Sequence, residues 1–123
     1  MNLNTARVFV RDLSEARAFY AESLGLTPVA GNAEFGYVVF EAGIAKLVVE
    51  TVADDAPQED QLLVGRFTGL SFSVADVHEE HRELLALGVE FSGQPEKQSW
   101  GGVLATLRDP AGNELQIVQQ STA

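Results

Sequence analysis

The chain has 123 residues, 46% of them hydrophobic, no cysteine, and 18 acidic against 8 basic residues for a formal net charge of −10. That length suits a single domain burying roughly two-thirds of its unfolded surface; the missing cysteines exclude disulfides and thiolate metal sites, and the acidic excess disfavours a phosphate backbone as partner. No apolar run reaches the ~20 residues of a membrane span and the N-terminus lacks the basic-then-apolar order of a secretory signal, so a soluble cytoplasmic protein without nucleic-acid or membrane partners is expected.

Ala6 to Val10 alternates with a period of two, Ala6, Val8 and Val10 against Arg7, Phe9 and Arg11, which predicts a strand. Asp12 stands three residues before Glu15, the spacing of a helix cap. Leu13, Ala16, Phe19, Tyr20 and Leu24 then form an apolar stripe that Gly25 ends, predicting a helix from Leu13 to Leu24. Leu26 to Ala30 contains Pro28 and reads as a short edge strand. Phe35 to Glu41 and Ile44 to Val52 are β-rich runs joined at Ala42-Gly43. Ala53 to Gln61 is acidic, contains Pro57 and has no period, so an irregular linker is expected, and Leu62 to Gly65 is too short to assign.

The pattern then restarts. Leu70, Phe72 and Val74 alternate with Ser71, Ser73 and Ala75, Asp76 takes the cap position, and Val77, His81, Leu84, Leu85 and Leu87 lead to Gly88. Val89 to Ser92 is a further short strand, Gln94-Pro95-Glu96 a loop, and Gly101-Gly102 the entry to Val103 to Leu107. In Asp109-Pro110-Ala111-Gly112-Asn113, proline presets φ, Gly112 and Asn113 tolerate positive φ, and the Asp109 carboxylate can hold the turn. Glu114 to Val118 follows as the last strand. Superposing Asp12 on Asp76 aligns Val10 with Val74 and Val8 with Phe72, the signature of a duplicated βαβββ module. Module one covers about residues 4–52, an acidic linker about 53–66 and module two about 67–120.

Strand parity sorts the residues by face. With Val8, Val10, Leu47, Val49, Leu70, Phe72, Leu115 and Ile117 packed on the helices, Arg7, Phe9, Lys46, Val48, Glu50, Ser71, Ser73, Gln116 and Val118 line the other side. This mixed surface suits an organic ligand with a few hydrogen-bonding groups, and Tyr37 and Trp100 could supply stacking faces near its mouth. Arg7 and Lys46 are candidate ion-pair partners of Glu50, while Glu50 and Glu114 are the acids that parity allows for paired-carboxylate chemistry. His78 and His81 lie three apart on the second helix, not four as in the zinc-protease pattern, and read as surface and packing residues.

The run Val8-Phe9-Val10-Arg11-Asp12, through Ala18-Phe19-Tyr20 to Leu24-Gly25-Leu26, together with the second module and the late Asp-Pro-Ala-Gly-Asn turn, resembles the vicinal oxygen chelate superfamily. That superfamily includes glyoxalase I, bleomycin-resistance proteins and extradiol dioxygenases. The resemblance implies an α+β fold of tandem βαβββ modules, with cupped mixed sheets, helices on the outside, and assembly as a homodimer. It also implies that catalytic members hold a divalent metal through His or Gln on the first strand, Glu on the fourth, His on the fifth and Glu on the eighth, a set suited to Zn²⁺, Ni²⁺, Mn²⁺ or Fe²⁺.

Carried onto this chain, those positions fall on Thr5, Glu50, Gly69 and Gln116, with Val48 the alternative to Glu50 if the register is two residues off. Neither histidine is present, so a metal cofactor is disfavoured. The reading is a metal-free relative of the bleomycin-resistance branch that binds a small organic molecule, with sequestration of a cationic antibiotic compatible with the acidic field. A glyoxalase-like lyase or isomerase with a non-standard site, and an interaction module with no ligand, are the alternatives.

Overall fold

The computed structural model describes residues 1–121. They divide into two compact units, residues 1–66 with 110–113, and residues 67–109 with those from 114 onward.

In the first unit β1 (Thr5–Val10) runs parallel to β4 (Ala45–Thr51), and β3 (Tyr37–Ala42) and β2 (Thr27–Asn32) extend the sheet antiparallel, in the order β1-β4-β3-β2. Pro28, which cannot donate to a ladder, lies as expected on the edge strand β2, beside a register shift between Pro28 and Ala30. Between β1 and β2 comes α1 (Leu13–Ala18), whose cap Asp12 accepts from the Glu15 amide at 3.0 Å. Val8, Val10, Val38, Phe40, Leu47 and Val49 are buried with Ala16 and Tyr20. Each large aliphatic or aromatic side chain so buried contributes about 1.5–3 kcal/mol.

The expected helix to Leu24 is α-helical only to Ala18 and continues as a π-helical turn, Phe19–Ser23. The widened turn accompanies burial of two consecutive rings, Phe19 and Tyr20, which meet edge-on at 5.0 Å; Tyr20 also reaches Phe40 at 5.9 Å. An apolar stripe alone cannot distinguish that geometry from a regular helix. Gly25 ends the segment at φ +74°, a left-handed conformation suited to glycine.

The acidic stretch is more ordered than expected. Pro57 starts a four-residue helix, α2 (Gln58–Gln61), and the Gln61 amide donates back to the carbonyls of Ala53, Asp54 and Ala56 at 2.8–3.2 Å. One helical turn is too short to leave a period in the sequence. Val64 then bridges Phe9, and the chain returns to this unit through residues 110–113. Asn113, fully buried, donates to the Phe9 carbonyl at 2.7 Å and accepts from the amides of Gly65 at 2.9 Å and Arg66 at 3.4 Å. Only Gly112 takes positive φ in this turn; Asn113 serves through its side chain instead.

In the second unit β5 (Phe67–Ser73) is parallel to β9 (Glu114–Gln119), and β8 (Val103–Arg108) joins β9 antiparallel. Two short strands, β6 (Glu90–Phe91) and β7 (Glu96–Lys97), both pair with β8. Glu96 therefore belongs to a strand and not to the expected loop. Helix α3 (Val77–Ala86) is capped by Asp76, which accepts from the Glu79 amide at 3.1 Å. It buries Val77, His81 and Leu84, with His81 edge-on to Phe91 at 4.5 Å. Among the described residues no helix is long and apolar enough to cross a membrane.

Candidate functional site

Each sheet has one face under a helix and one open face, and the register fixes what the open faces carry. In the first unit Arg7 lies opposite Val48 and Val48 opposite Val39, while Phe9 lies opposite Glu50 and Glu50 opposite Tyr37. Arg7 Nη1 donates to Glu50 Oε1 at 2.9 Å. Lys46 does not join them: its Nζ donates to Glu41 Oε1, also at 2.9 Å, because the β3–β4 pairing sets Glu41 directly opposite. Parity and the Ala42-Gly43 hairpin would have found Glu41, which sequence reasoning missed. Such half-exposed pairs contribute only about 0.2–1 kcal/mol each to stability. Their weight here is electrostatic, since two cations and two carboxylates leave this face locally neutral around a buried Val48.

The second unit differs. Ser71, Gln116 and Thr106 form one row across β5, β9 and β8. The Ser71 hydroxyl donates to Gln116 Oε1 at 3.4 Å, and Gln116 Nε2 donates to Thr106 Oγ1 at 3.3 Å. These long, neutral bonds leave the amide able to exchange partners with a ligand. Ser73 lies opposite Val118 in the next row, and Val118 is buried. At the other end of the face Glu114 meets Arg108 Nη2 at 3.5 Å, while Arg108 Nη1 reaches Glu90 at 3.2 Å. Trp100, 51% exposed, precedes β8 and lays its ring against Gly102, where an added Cβ would stand 1.8 Å from a ring carbon.

Of the residues singled out from the sequence, Arg7, Phe9, Tyr37, Lys46, Val48 and Glu50 fall on the first unit's open face, and Ser71, Ser73 and Gln116 on the second's. Trp100 is a loop residue of the second unit. Glu50 and Glu114, the two acids allowed by parity, lie in different units and each is held by an arginine.

The four positions carried over from metal-binding relatives do not make a ligand set. The Thr5 hydroxyl donates to Asn4 Oδ1 at 2.5 Å, and Thr5 lies opposite Lys46, so Val48 is two residues along from its register partner and Glu50 four. Val48, the nearer, has no donor atom. Gly69 has no side chain and sits at φ +76° where the β5–β9 register shifts, a backbone that would strain a histidine. Gln116 offers a neutral amide. Among the described residues no three His, Cys, Asp or Glu side chains gather into a potential metal site. His78 is exposed and His81 is packed on Phe91.

Comparison with known proteins agrees with this architecture. The profile of the Glyoxalase/Bleomycin resistance protein/Dioxygenase superfamily matches residues 2–117. YraH of Bacillus subtilis (strain 168) is 31% identical over 95% of this chain and 97% of its own. A superfamily member from Sphaerobacter thermophilus superposes with a TM-score of 0.80 at 26% identity over 98% of both chains. TnmS3, an antibiotic binding protein from Streptomyces sp. CB03234, superposes with a TM-score of 0.78 at 26% identity over 98% of this chain and 97% of that one.

Proposed function

We propose, from the premise that the chain belongs to the glyoxalase/bleomycin resistance protein/dioxygenase superfamily, that it binds a small organic molecule on its open sheet faces without a metal ion. The observation that carries this reading is the donor set: a threonine engaged with Asn4, a valine or an ion-paired glutamate, a left-handed glycine, and a neutral glutamine. Such a set offers too few strong ligands for a transition metal. Each face does offer what an organic ligand uses, an apolar floor with a few hydrogen-bonding groups: Val48 one row from Phe9 and Tyr37 in the first unit, and Val118 beside Ser73 in the second. The likeness to an antibiotic binding protein supports a binding role; in this reading the chain sequesters its ligand and works as a homodimer.

Sequestration of a cationic antibiotic draws its support from the net charge of −10, not from the open face of the first unit, whose charges balance. Attraction to a cation would therefore be a long-range field effect that salt screens. A lyase or isomerase with Glu50 as proton acceptor has less support, because its Oε1 is already occupied by Arg7.

Thermal-shift screening of glycopeptide and planar aromatic antibiotics, with and without a chelator, tests the proposal. A ligand that raises the melting temperature equally in both conditions is expected, since binding to the folded state alone stabilises it. Stoichiometric Zn²⁺, Ni²⁺ or Fe²⁺ in protein purified without chelator, with binding lost when the metal is removed, would overturn it.

A further inference from the structure

On the opposite, helix-covered side of the first unit, a cleft of about 670 Å³ opens between α1 and the edge strand β2. Its volume lies within the roughly 300–1,000 Å³ typical of small-molecule sites. The cleft lies where α1, which packs mainly over β4 and β3, gives way to the edge strand β2, and where Ala30 and Gly31 present little side chain to fill the gap. Leu13, Ser14 and Arg17 form the helical wall, at the three- and four-residue spacings that share one face, and buried Val38 contributes to the floor.

Arg17 is the cation of this cleft. Arg7, Lys46 and Arg108 pair with carboxylates and Arg11 donates to Gln61, whereas Arg17, like Arg66, Arg82 and Lys97, has no side-chain ion-pair or hydrogen-bond partner among the described residues; of these four, Arg17 is the one that lines the cleft. With 18 acids available, an unneutralised guanidinium on the wall of a cleft stands ready for an anion from outside. The planar fork suits a carboxylate held by two parallel bonds. The Ser14 hydroxyl, one turn away, can donate or accept. The net charge of −10 disfavours polyanions, so the ligand best matched is a monoanion with an apolar body lying along Leu13 and β2. We propose that this cleft is a binding site for small amphipathic monocarboxylates anchored by Arg17, distinct from the open-face rows around Val48 and Gln116, with Tyr37 bordering both the cleft and the first unit's open face.

The test is a titration of ¹⁵N-labelled protein with naphthalene-2-carboxylate, alongside its neutral alcohol and cationic amine analogues. Saturable amide shifts at Ser14, Arg17, Val29 and Gly31 are expected with the carboxylate, at an affinity at least about tenfold above either analogue. Arg17→Gln should remove that preference. Val29→Glu, placing a carboxylate on the opposite wall, should weaken carboxylate binding by a similar factor. Both positions are exposed, so unchanged melting temperatures are expected and show that neither variant has lost its fold. Equal affinity for the three probes, shifts centred on Val48 and Gln116, or carboxylate binding unaltered in both variants would overturn the proposal.

Discussion

In the first unit the open face sets guanidinium and ammonium groups against carboxylates, Arg7 with Glu50 and Lys46 with Glu41; in the second the corresponding central row is Ser71, Gln116 and Thr106 and carries no charge. The covered faces match far more closely. Both helices are capped by an aspartate accepting from the amide three residues on, both helical segments, α1 with its π-helical turn and α3, are followed by a glycine with positive φ, and both cover alternating aliphatic residues. Because side chains alternate across a strand, one face can be held constant for packing while the other diverges for binding. Divergence also reaches the backbone, since β1 is regular whereas β5 is irregular around Gly69.

The sharpest way to test that division is at two adjacent residues of β9. Ile117→Ala, on the covered face and 3% exposed, should cost about 2–5 kcal/mol in urea denaturation. If the modules are equivalent where they pack, Asp12→Ala and Asp76→Ala should each cost about 1 kcal/mol and agree within a few tenths. A large inequality would show that one helix depends on its cap and the other does not. Gln116→Ala, next to Ile117 but on the open face, should stay within about 1 kcal/mol of the parent. A loss of several would make Gln116 a structural residue.

The smallest expected effect distinguishes α3 from α1. Burial, with smaller contributions from Glu83 and Glu79, raises the Glu80 carboxyl above its ordinary value of 4.5. Between the unfolded and the raised folded value the native state holds more protons than the unfolded one, so stability falls as pH rises through that window. Above it the penalty is fully present. Glu80→Gln should therefore be slightly more stable than the parent at pH 7, within about 0.5 kcal/mol, and should lose that advantage on acidification below 4.5. Melting curves at several pH values check the sign.

Period and punctuation made most of the scaffold readable. Alternation at Ala6 to Val10 and Leu70 to Val74, the aspartate caps, and the glycines ending both helices identified the repeat, and Pro28 marked an edge strand. What escaped was either too short or too distant in sequence. The four residues of α2 and the two of β7 carry no period, and the π-helical turn differs from an α-helix in hydrogen bonding and not in pattern. Parity placed Arg7, Lys46 and Glu50 on one face but could not choose among pairings, which depend on the β3–β4 register. The cleft beside Arg17 was invisible because it depends on where a helix stops covering a sheet. Nor does any local signal reveal that the Asn113 side chain is used 104 residues back along the chain, at Phe9.

That last contact bears on the order in which the protein can be made. Phe9, Gly65 and Arg66 leave the ribosome well before Asn113, yet the carbonyl and two amides they present are joined by its single amide side chain. The first unit thus counts among its own parts a segment, 110–113, encoded after most of the second. A gene cut between the modules yields an N-terminal fragment without its closing piece. Completion of the first half waits until residues 110–113 have been translated, so the duplicated modules, alike as they are, do not mature as two independent halves.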